Sequence, residues 1–304
     1  MNRLLNCRAI AQLIAPFLGA VFLATTALAF MPESQFSNQL TVKAMSFNIR
    51  LGIAKDGDNA WKHRRDLVFD VVAKRIPDFV GLQEAWEFQI EEIREAVPHY
   101  GIVGRTRQAE LKVGEWCGIL YRTDRFEVVE SGTLWLSETP EKVASTSWGN
   151  TIPRIVTWGL FRVKEGAGPD AGHMIYIYNT HFDHRSQPSR EASAKMISKL
   201  VSPHLGKHPV VVLGDLNAGE KNDAIKTLKA TPLVDSYRVV QPEPEIPVGT
   251  FNHWRGEKSG SKIDYVLVDD SATVHSAEII CDHSPDGRYP SDHFPVWAVL
   301  EWKL

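Results

Sequence analysis

The chain has 304 residues, with 34 Lys and Arg against 37 Asp and Glu, for a net charge of −3. That balance argues against strong non-specific binding to nucleic acid, which draws on many Lys and Arg contacts to phosphates, but leaves a small phosphorylated substrate open. Three cysteines with no CxxC spacing exclude a thiolate-rich zinc site.

The first thirty residues are of a different kind. Arg3 and Arg8 give a positive start, an apolar run covers 9–28, and Ala27-Leu28-Ala29 has the small-x-small form of a cleavage site. The segment 1–29 reads as a secretory signal peptide, which makes the mature chain exported, periplasmic or extracellular. An uncleaved anchor is the alternative, against which Pro16 interrupts the run. Without 1–29, Lys and Arg fall to 32 against the same 37 acids. No second apolar stretch of that length follows, so no stable membrane insertion is expected after cleavage. Residues 30–304 carry no linker, charge block or repeat and read as one domain, expected to be a monomer. Cys117 and Cys281 remain. Export permits a disulfide between them, their separation leaves it open, and the apolar run around Cys117 favours a core position.

Along the domain, 41–48 alternates as a strand. Leu67, Val68, Val71 and Val72 recur at helical spacing within 61–74. Pro77-Asp78 ends that helix, and 79–83 reads as a buried strand before a second helix at 88–96. Strands are then expected in series at 100–104, 117–121, 126–130, 155–163 and 174–180. A helix at 188–201, opened by Pro188 and followed by Pro203, precedes a short apolar strand at 210–213. Strands at 263–268, 273–280 and 294–301 complete the set. So many consecutive strands favour an α/β fold of two packed, mixed or antiparallel sheets with helices outside, over a doubly wound parallel sheet.

Polar residues recur where these strands meet loops. The segments are Ser46-Phe47-Asn48-Ile49-Arg50, Gly81-Leu82-Gln83-Glu84, Asn179-Thr180-His181-Phe182-Asp183-His184, Leu213-Gly214-Asp215-Leu216-Asn217, Lys262-Ile263-Asp264-Tyr265 and Ser291-Asp292-His293. Singly each has an ordinary reading, such as a turn Asn, a helix-capping Glu or a Lys-paired Asp. Together they look like loops of a rigid scaffold converging on one site.

In order and content these segments resemble the endonuclease/exonuclease/phosphatase superfamily, the DNase-I-like hydrolases. The resemblance runs from Asn48 to His293. The Trp-x-x-Arg of Trp61 to Arg64, and Gly249-Thr250-Phe251 ahead of Lys262-Ile263-Asp264-Tyr265, are similar to an exported bacterial and fungal branch. The resemblance implies a four-layer α/β/β/α sandwich, Mg²⁺ or Mn²⁺ dependence and hydrolysis of phosphoester bonds. It makes Glu84 the principal metal ligand, Asn48 an oxygen ligand or its support, and Asp292 a further metal contact. Asp215 would orient or deprotonate the attacking water, and Asn217 would hold that water or a phosphate oxygen. His293 would meet a phosphate oxygen with Asp264 fixing its tautomer, and His181 would donate to the phosphate or leaving group. Arg154 is a phosphate-contact candidate, with an exposed strand-start Arg as the alternative.

The residue chemistry fits that reading, because phosphoester hydrolysis needs charge neutralisation, an oriented water and donors for developing charge. A His and carboxylate zinc site from His181, Asp183, His184 and His293 is a rival, as is a non-catalytic phosphate-binding module. For substrate, a phosphodiesterase or phosphatase acting on a small or single-stranded phosphorylated molecule is favoured over a secreted nuclease on DNA or RNA. Trp86, Trp116, Trp148, Trp254 and Tyr289 lie near the motifs. Packing against the sheets is favoured for them over stacking on a base or sugar.

Overall fold

A computed structural model describes residues 38–243 and 248–304; the expected signal peptide at 1–29 lies outside the described residues. Strand β1 (Gln39–Asn48) leads through a single 3-10 turn to helix α1 (Trp61–Arg75). Strand β2 (Phe79–Gln83), helix α2 (Glu87–Ala96) and strands β3 (Tyr100–Val103) and β4 (Ile119–Arg122) follow. Next come β5 (Phe126–Trp135), β6 (Ile155–Val163), β7 (Met174–His181), helix α3 (Gln187–Val201) and β8 (Val210–Asp215). Helix α4 (Asp223–Ala230), β9 (Leu233–Asp235), α5 (Ser236–Val240), β10 (Asp264–Asp269), β11 (Thr273–Ile279) and β12 (Val296–Lys303) close the chain.

The strands form two six-stranded sheets, ordered β11-β12-β1-β2-β4-β3 and β5-β6-β7-β8-β10-β9. Each is built around one parallel pair, β1 with β2 and β7 with β8, flanked by antiparallel neighbours. A parallel pair needs a crossover, and here α1 and α3 supply it. Alternation along the strands sends Leu40, Val42, Ala44, Ile175, Ile177, Val211 and Leu213 into the core between the sheets. Met45, Phe47, Val80 and Leu82 face the other way, onto α1 and α2. Tyr178, Val210 and Val212 pack on α3 and α4 through Ala194, Ile197 and Ile225. The result is the expected four-layer α/β sandwich.

Three hydrogen bonds of one side chain pin the sheets together beneath the strand ends. Asn179 on β7 donates from Nδ2 to the carbonyls of Leu82 and Gly118 at 2.8 Å each, and its Oδ1 accepts from Gln83 Nε2 at 2.7 Å. These groups are buried, so each needs its partner. Gly81 makes the approach possible, since a Cβ there would lie 2.6 Å from Asn179 Oδ1 and 2.7 Å from Leu213.

The structure departs from expectation in places. Helix α4, strand β9 and helix α5 were not anticipated. Strand β5 is twice the expected length, because a register shift between Val128 and Glu130 breaks its alternation. Strand β12 begins at Val296, which leaves Phe294 and Pro295 in the loop. Cys117 and Cys281 are both free thiols, and Cys117 packs on Trp135 and Ile155. Among the described residues, no helix is long and apolar enough to cross a membrane.

Candidate active site

The topology brings one end of eight strands together. Strands β1, β2, β7 and β8 finish there, at Asn48, at Gln83 just before Glu84, at His181 and at Asp215. Their antiparallel neighbours β4, β6, β10 and β12 start there, following Glu115, Arg154, Ile263 and His293 in the chain. These loops surround a cleft of about 380 Å³. Its lining includes Glu84, Arg154, His181, Asp215, Asn217, Asp292 and His293.

Asp215 sits at the centre. Its Oδ2 accepts from Asn48 Nδ2 at 3.0 Å and lies 3.4 Å from His181 Nε2 and 3.8 Å from His293 Nε2. Its Oδ1 accepts from the Asn217 backbone N–H at 2.9 Å. The register of β8 with β10 sets Asp264 directly opposite Asp215. Asp264 Oδ2 meets His293 Nδ1 at 2.9 Å, which leaves His293 Nε2 directed towards Asp215 and the cleft. Burial and the Asp264 charge push the Asp215 carboxyl up to about 7, against the pull of His293 and two donated hydrogen bonds. Burial lowers the His293 imidazolium, but Asp264, Asp215 and Asp292 outweigh it and raise it well above its ordinary value. Both shifts hold a proton tightly at this corner. His181 behaves oppositely. Burial, Arg154 and Arg107 drive it well below its ordinary value, so it is a neutral hydrogen-bonding group.

A second set lies beside it. Asn48 Nδ2 also donates to Glu84 Oε1 at 3.0 Å, while its Oδ1 accepts from the Arg50 N–H at 3.0 Å. The amide therefore offers nitrogen, not oxygen, to the carboxylates. Arg50 lies 3.8 Å from Glu84 and 3.7 Å from Asp292, anchored on Asp56 by two 3.0 Å bonds. Burial, with Glu84 close by, raises the Asp292 carboxyl. Arg50, Glu84 and Asn217 adopt positive φ (56°, 57° and 46°), a conformation costly for non-glycine residues and held by their surroundings.

The loops are braced from behind. The fully buried Arg64 donates to the carbonyls of Asn59, Ile49, Arg50 and Pro290 at 2.7 to 3.1 Å, tying the exit of β1 to the loop before Asp292. Trp61 and Trp254 cover its guanidinium. Thr250 Oγ1 accepts from the N–H groups of Ile263 and Asp264 at 3.0 and 3.1 Å, and its carbonyl accepts from Phe294 N–H at 2.7 Å. The Trp-x-x-Arg and Gly-Thr-Phe motifs thus fix the site's geometry.

Arg154 is buried, not exposed. It donates from Nη2 to His184 Nδ1 at 2.9 Å, which puts the His184 proton on Nε2. Its Nε and Nη1 find no hydrogen-bond partner among the described residues. The four zinc donors of the rival reading do not all converge: of the four, only His181 and His293 approach one point, at Asp215 Oδ2. His184 is engaged by Arg154, and Asp183 Oδ1 accepts from the N–H groups of Arg185 and Ser186. Among the described residues no tryptophan lines the cleft; Phe251 does, its ring 5.0 Å from that of His293. Trp254 packs on Arg64 and Tyr289 on Phe294. Arg107 and Glu115 also line the cleft, and sequence reasoning missed them. The available signal was Glu115 heading an apolar run whose strand is antiparallel to β2.

Two donor sets could in principle hold a cation. The atoms of Asp215, Asp264 and His293 lie within 4.8 Å of one another. There His293 Nδ1 is spent on Asp264 Oδ2, although Asp264 Oδ1 is buried with no hydrogen-bond partner among the described residues. Glu84 and Asp292 fit a hard cation better. They are two carboxylates facing the cleft, and a positive group already sits between them in Arg50.

Comparison with known proteins decides the family. Residues 45–293 match the Endonuclease/Exonuclease/phosphatase family. The chain belongs to that family. A crystal structure of an endonuclease/exonuclease/phosphatase family protein from Bacteroides thetaiotaomicron is 30% identical, with a TM-score of 0.78, covering 88% of this chain and 96% of that one. A mannosyl-6-phosphatase from the same organism is also 30% identical, with a TM-score of 0.75, covering 85% of this chain and 99% of that one. An uncharacterised protein of Acanthamoeba polyphaga mimivirus is 24% identical over 256 residues, covering 79% of this chain and 92% of its own. The family's DNase-I-like sandwich is the fold described above.

Proposed function

We propose that this chain is a Mg²⁺- or Mn²⁺-dependent phosphoric ester hydrolase, exported, acting on a small phosphorylated molecule. The observation that carries this is the Asp264–His293–Asp215 arrangement opening onto the same cleft as Glu84 and Asp292. Glu84 and Asp292 would hold the cation, with Asn48 restraining Glu84 and Asp215. When bound, the cation neutralises non-bridging oxygens and the leaving-group oxygen.

The chain's own groups do the rest. Asp215 accepts a proton from the attacking water, which the Asn217 side chain helps to hold. His293, kept protonated by Asp264, donates from Nε2 to a phosphate oxygen. His181 is neutral and serves as a hydrogen-bond donor rather than a proton source. Arg154, whose Nε is ion-paired with Asp183 Oδ2 at 3.6 Å, presents Nη1 to another phosphate oxygen. The water oxygen bonds to phosphorus, the bond from phosphorus to the alcohol oxygen breaks, that oxygen takes up a proton from solvent, and Asp215 returns the water's proton to solvent. The full set of acid, base and cationic groups argues against a pure binding module. The net negative charge, together with similarity to a mannosyl-6-phosphatase, favours a small phosphate ester over a nucleic acid.

A panel assay with Mg²⁺ tests the reading, comparing hexose phosphates, p-nitrophenyl phosphate, bis(p-nitrophenyl) phosphate and single-stranded DNA. Hydrolysis of the small esters is expected. Turnover of DNA alone would contradict it.

A further inference from the structure

Beside the phosphate-binding groups, the cleft holds a charged pair that contacts no reacting group; Arg107 bears on the chemistry only through its charge, a smaller influence on His181 than burial or Arg154. Residues 104–118, between β3 and β4, fold into a short hairpin. The Arg107 N–H donates to the Glu115 carbonyl at 3.0 Å, and the Trp116 N–H donates to the carbonyl of Ala85, the residue after Glu84, at 2.7 Å. Trp135 Nε1 donates to the Arg107 carbonyl at 2.8 Å. Arg107 and Glu115 are thus cross-strand partners on a fixed frame, next to Glu84.

Their side chains form an ion pair inside the cleft, only 12% and 16% exposed. It is a single contact, from Arg107 Nη2 to Glu115 Oε1. Arg107 Nε is buried without a partner. Burial pushes the Glu115 carboxyl up and the Arg107 guanidinium down, which marks both as short of solvation. A pair that could make two parallel bonds therefore makes one, and leaves donor and acceptor capacity beside the cleft.

We infer that the Arg107–Glu115 pair is a leaving-group subsite that selects an uncharged alcohol rich in hydroxyls, such as a hexose or polyol. The inference rests on the phosphoric ester hydrolase reading of the cleft. A hydroxyl both donates and accepts, so adjacent hydroxyls can donate a hydrogen bond to Glu115 and accept one from Arg107. A second phosphate would be drawn by Arg107 but repelled by Glu115, so the pair favours a neutral group over an anionic one. The subsite lies beside Glu84, where the leaving oxygen would be neutralised. The cleft's volume suits a small molecule of this kind.

The test compares mannose 6-phosphate, glucose 6-phosphate and glycerol 3-phosphate with p-nitrophenyl phosphate, whose leaving group carries no further hydroxyl. The variants are Glu115→Gln and the double variant Arg107→Leu with Glu115→Leu, which removes both charges and strands neither. The expected result is a fall in kcat/KM of about 30-fold or more for the hydroxylated esters in the double variant, and a smaller fall in Glu115→Gln. Turnover of p-nitrophenyl phosphate should stay within about threefold, because burial and Arg154 still keep His181 neutral without Arg107, and this also reports that the fold is intact. Equal losses on all substrates, or no loss on the hydroxylated ones, would overturn the subsite. So would a wild-type enzyme that cleaves the aryl ester but no hydroxylated one. A wild-type enzyme that cleaves no phosphate ester would remove the hydrolase reading and the subsite together.

Discussion

The two walls of the cleft are built alike but carry different groups: carboxylates on one, a guanidinium and two imidazoles that burial holds below their ordinary pKa on the other. One wall comes from the sheet containing β1 and β2 and presents Glu84 and Asp292, with Arg50 between them. The other comes from the sheet containing β7 and β8 and presents Arg154, His181 and His184. Each sheet delivers its groups from the ends of a central parallel pair and the starts of the antiparallel neighbours. The same strand arrangement thus serves two electrostatic tasks. The acidic wall suits a cation, and the basic wall suits the oxygens of a phosphate. Asp215 stands where the walls meet, hydrogen-bonded to Asn48 of one sheet and close to His181 of its own.

Breaking the junction should cost most. Asp215→Asn keeps the shape but removes the proton acceptor, and turnover of p-nitrophenyl phosphate should fall by about 10³-fold or more. His293→Ala should be similarly severe, with an unchanged circular dichroism spectrum. Near-normal rates in either variant would remove the junction from the mechanism. On the acidic wall, Glu84→Gln should raise the Mg²⁺ concentration for half-maximal activity by at least about a hundredfold. An unchanged metal titration would move the cation elsewhere, with the Asp215, Asp264 and His293 cluster the next candidate. On the basic wall, Arg154→Ala should lower kcat/KM by about 10- to 100-fold with little change in metal requirement. If instead it altered the metal titration, the division of labour between the walls would fail.

A subtler effect concerns pH. In chelator, the Asp215 carboxyl has a folded-state value raised to about 7. A carboxyl raised on folding adds stability at low pH and loses it as pH climbs through the folded value. Metal-free wild type should therefore lose thermal stability between about pH 5 and pH 8, and Asp215→Asn should lose less. Parallel curves for the two proteins would mean that Asp215 carries no such strain.

Most of this arrangement is legible in the sequence, for a definite reason. Strand β1 alternates up to a polar end and β2 and β8 are short apolar runs that stop at polar residues, so Asn48, Glu84 and Asp215 announce themselves. Groups that precede a strand are harder to see. Arg154 and Glu115 each stand before an apolar run, where a charge is ordinary, and only the antiparallel pairing brings them to the site. Arg50 and Phe251 lie in loops whose path no periodicity fixes. Helices α4 and α5, of 8 and 5 residues, are too short for a periodic signal. Asn179 reads as part of a catalytic segment, yet its side chain points between the sheets and bonds them together.

The central claim is that a cation on the Glu84 and Asp292 wall works with Asp215 to cleave a phosphoric ester. The most direct test is turnover of p-nitrophenyl phosphate by the wild-type protein after chelation, then with Mg²⁺, Mn²⁺ or Zn²⁺ restored. The account predicts loss of turnover on chelation and recovery with Mg²⁺ or Mn²⁺. Turnover that survives chelation, or that returns with Zn²⁺ alone, would contradict it.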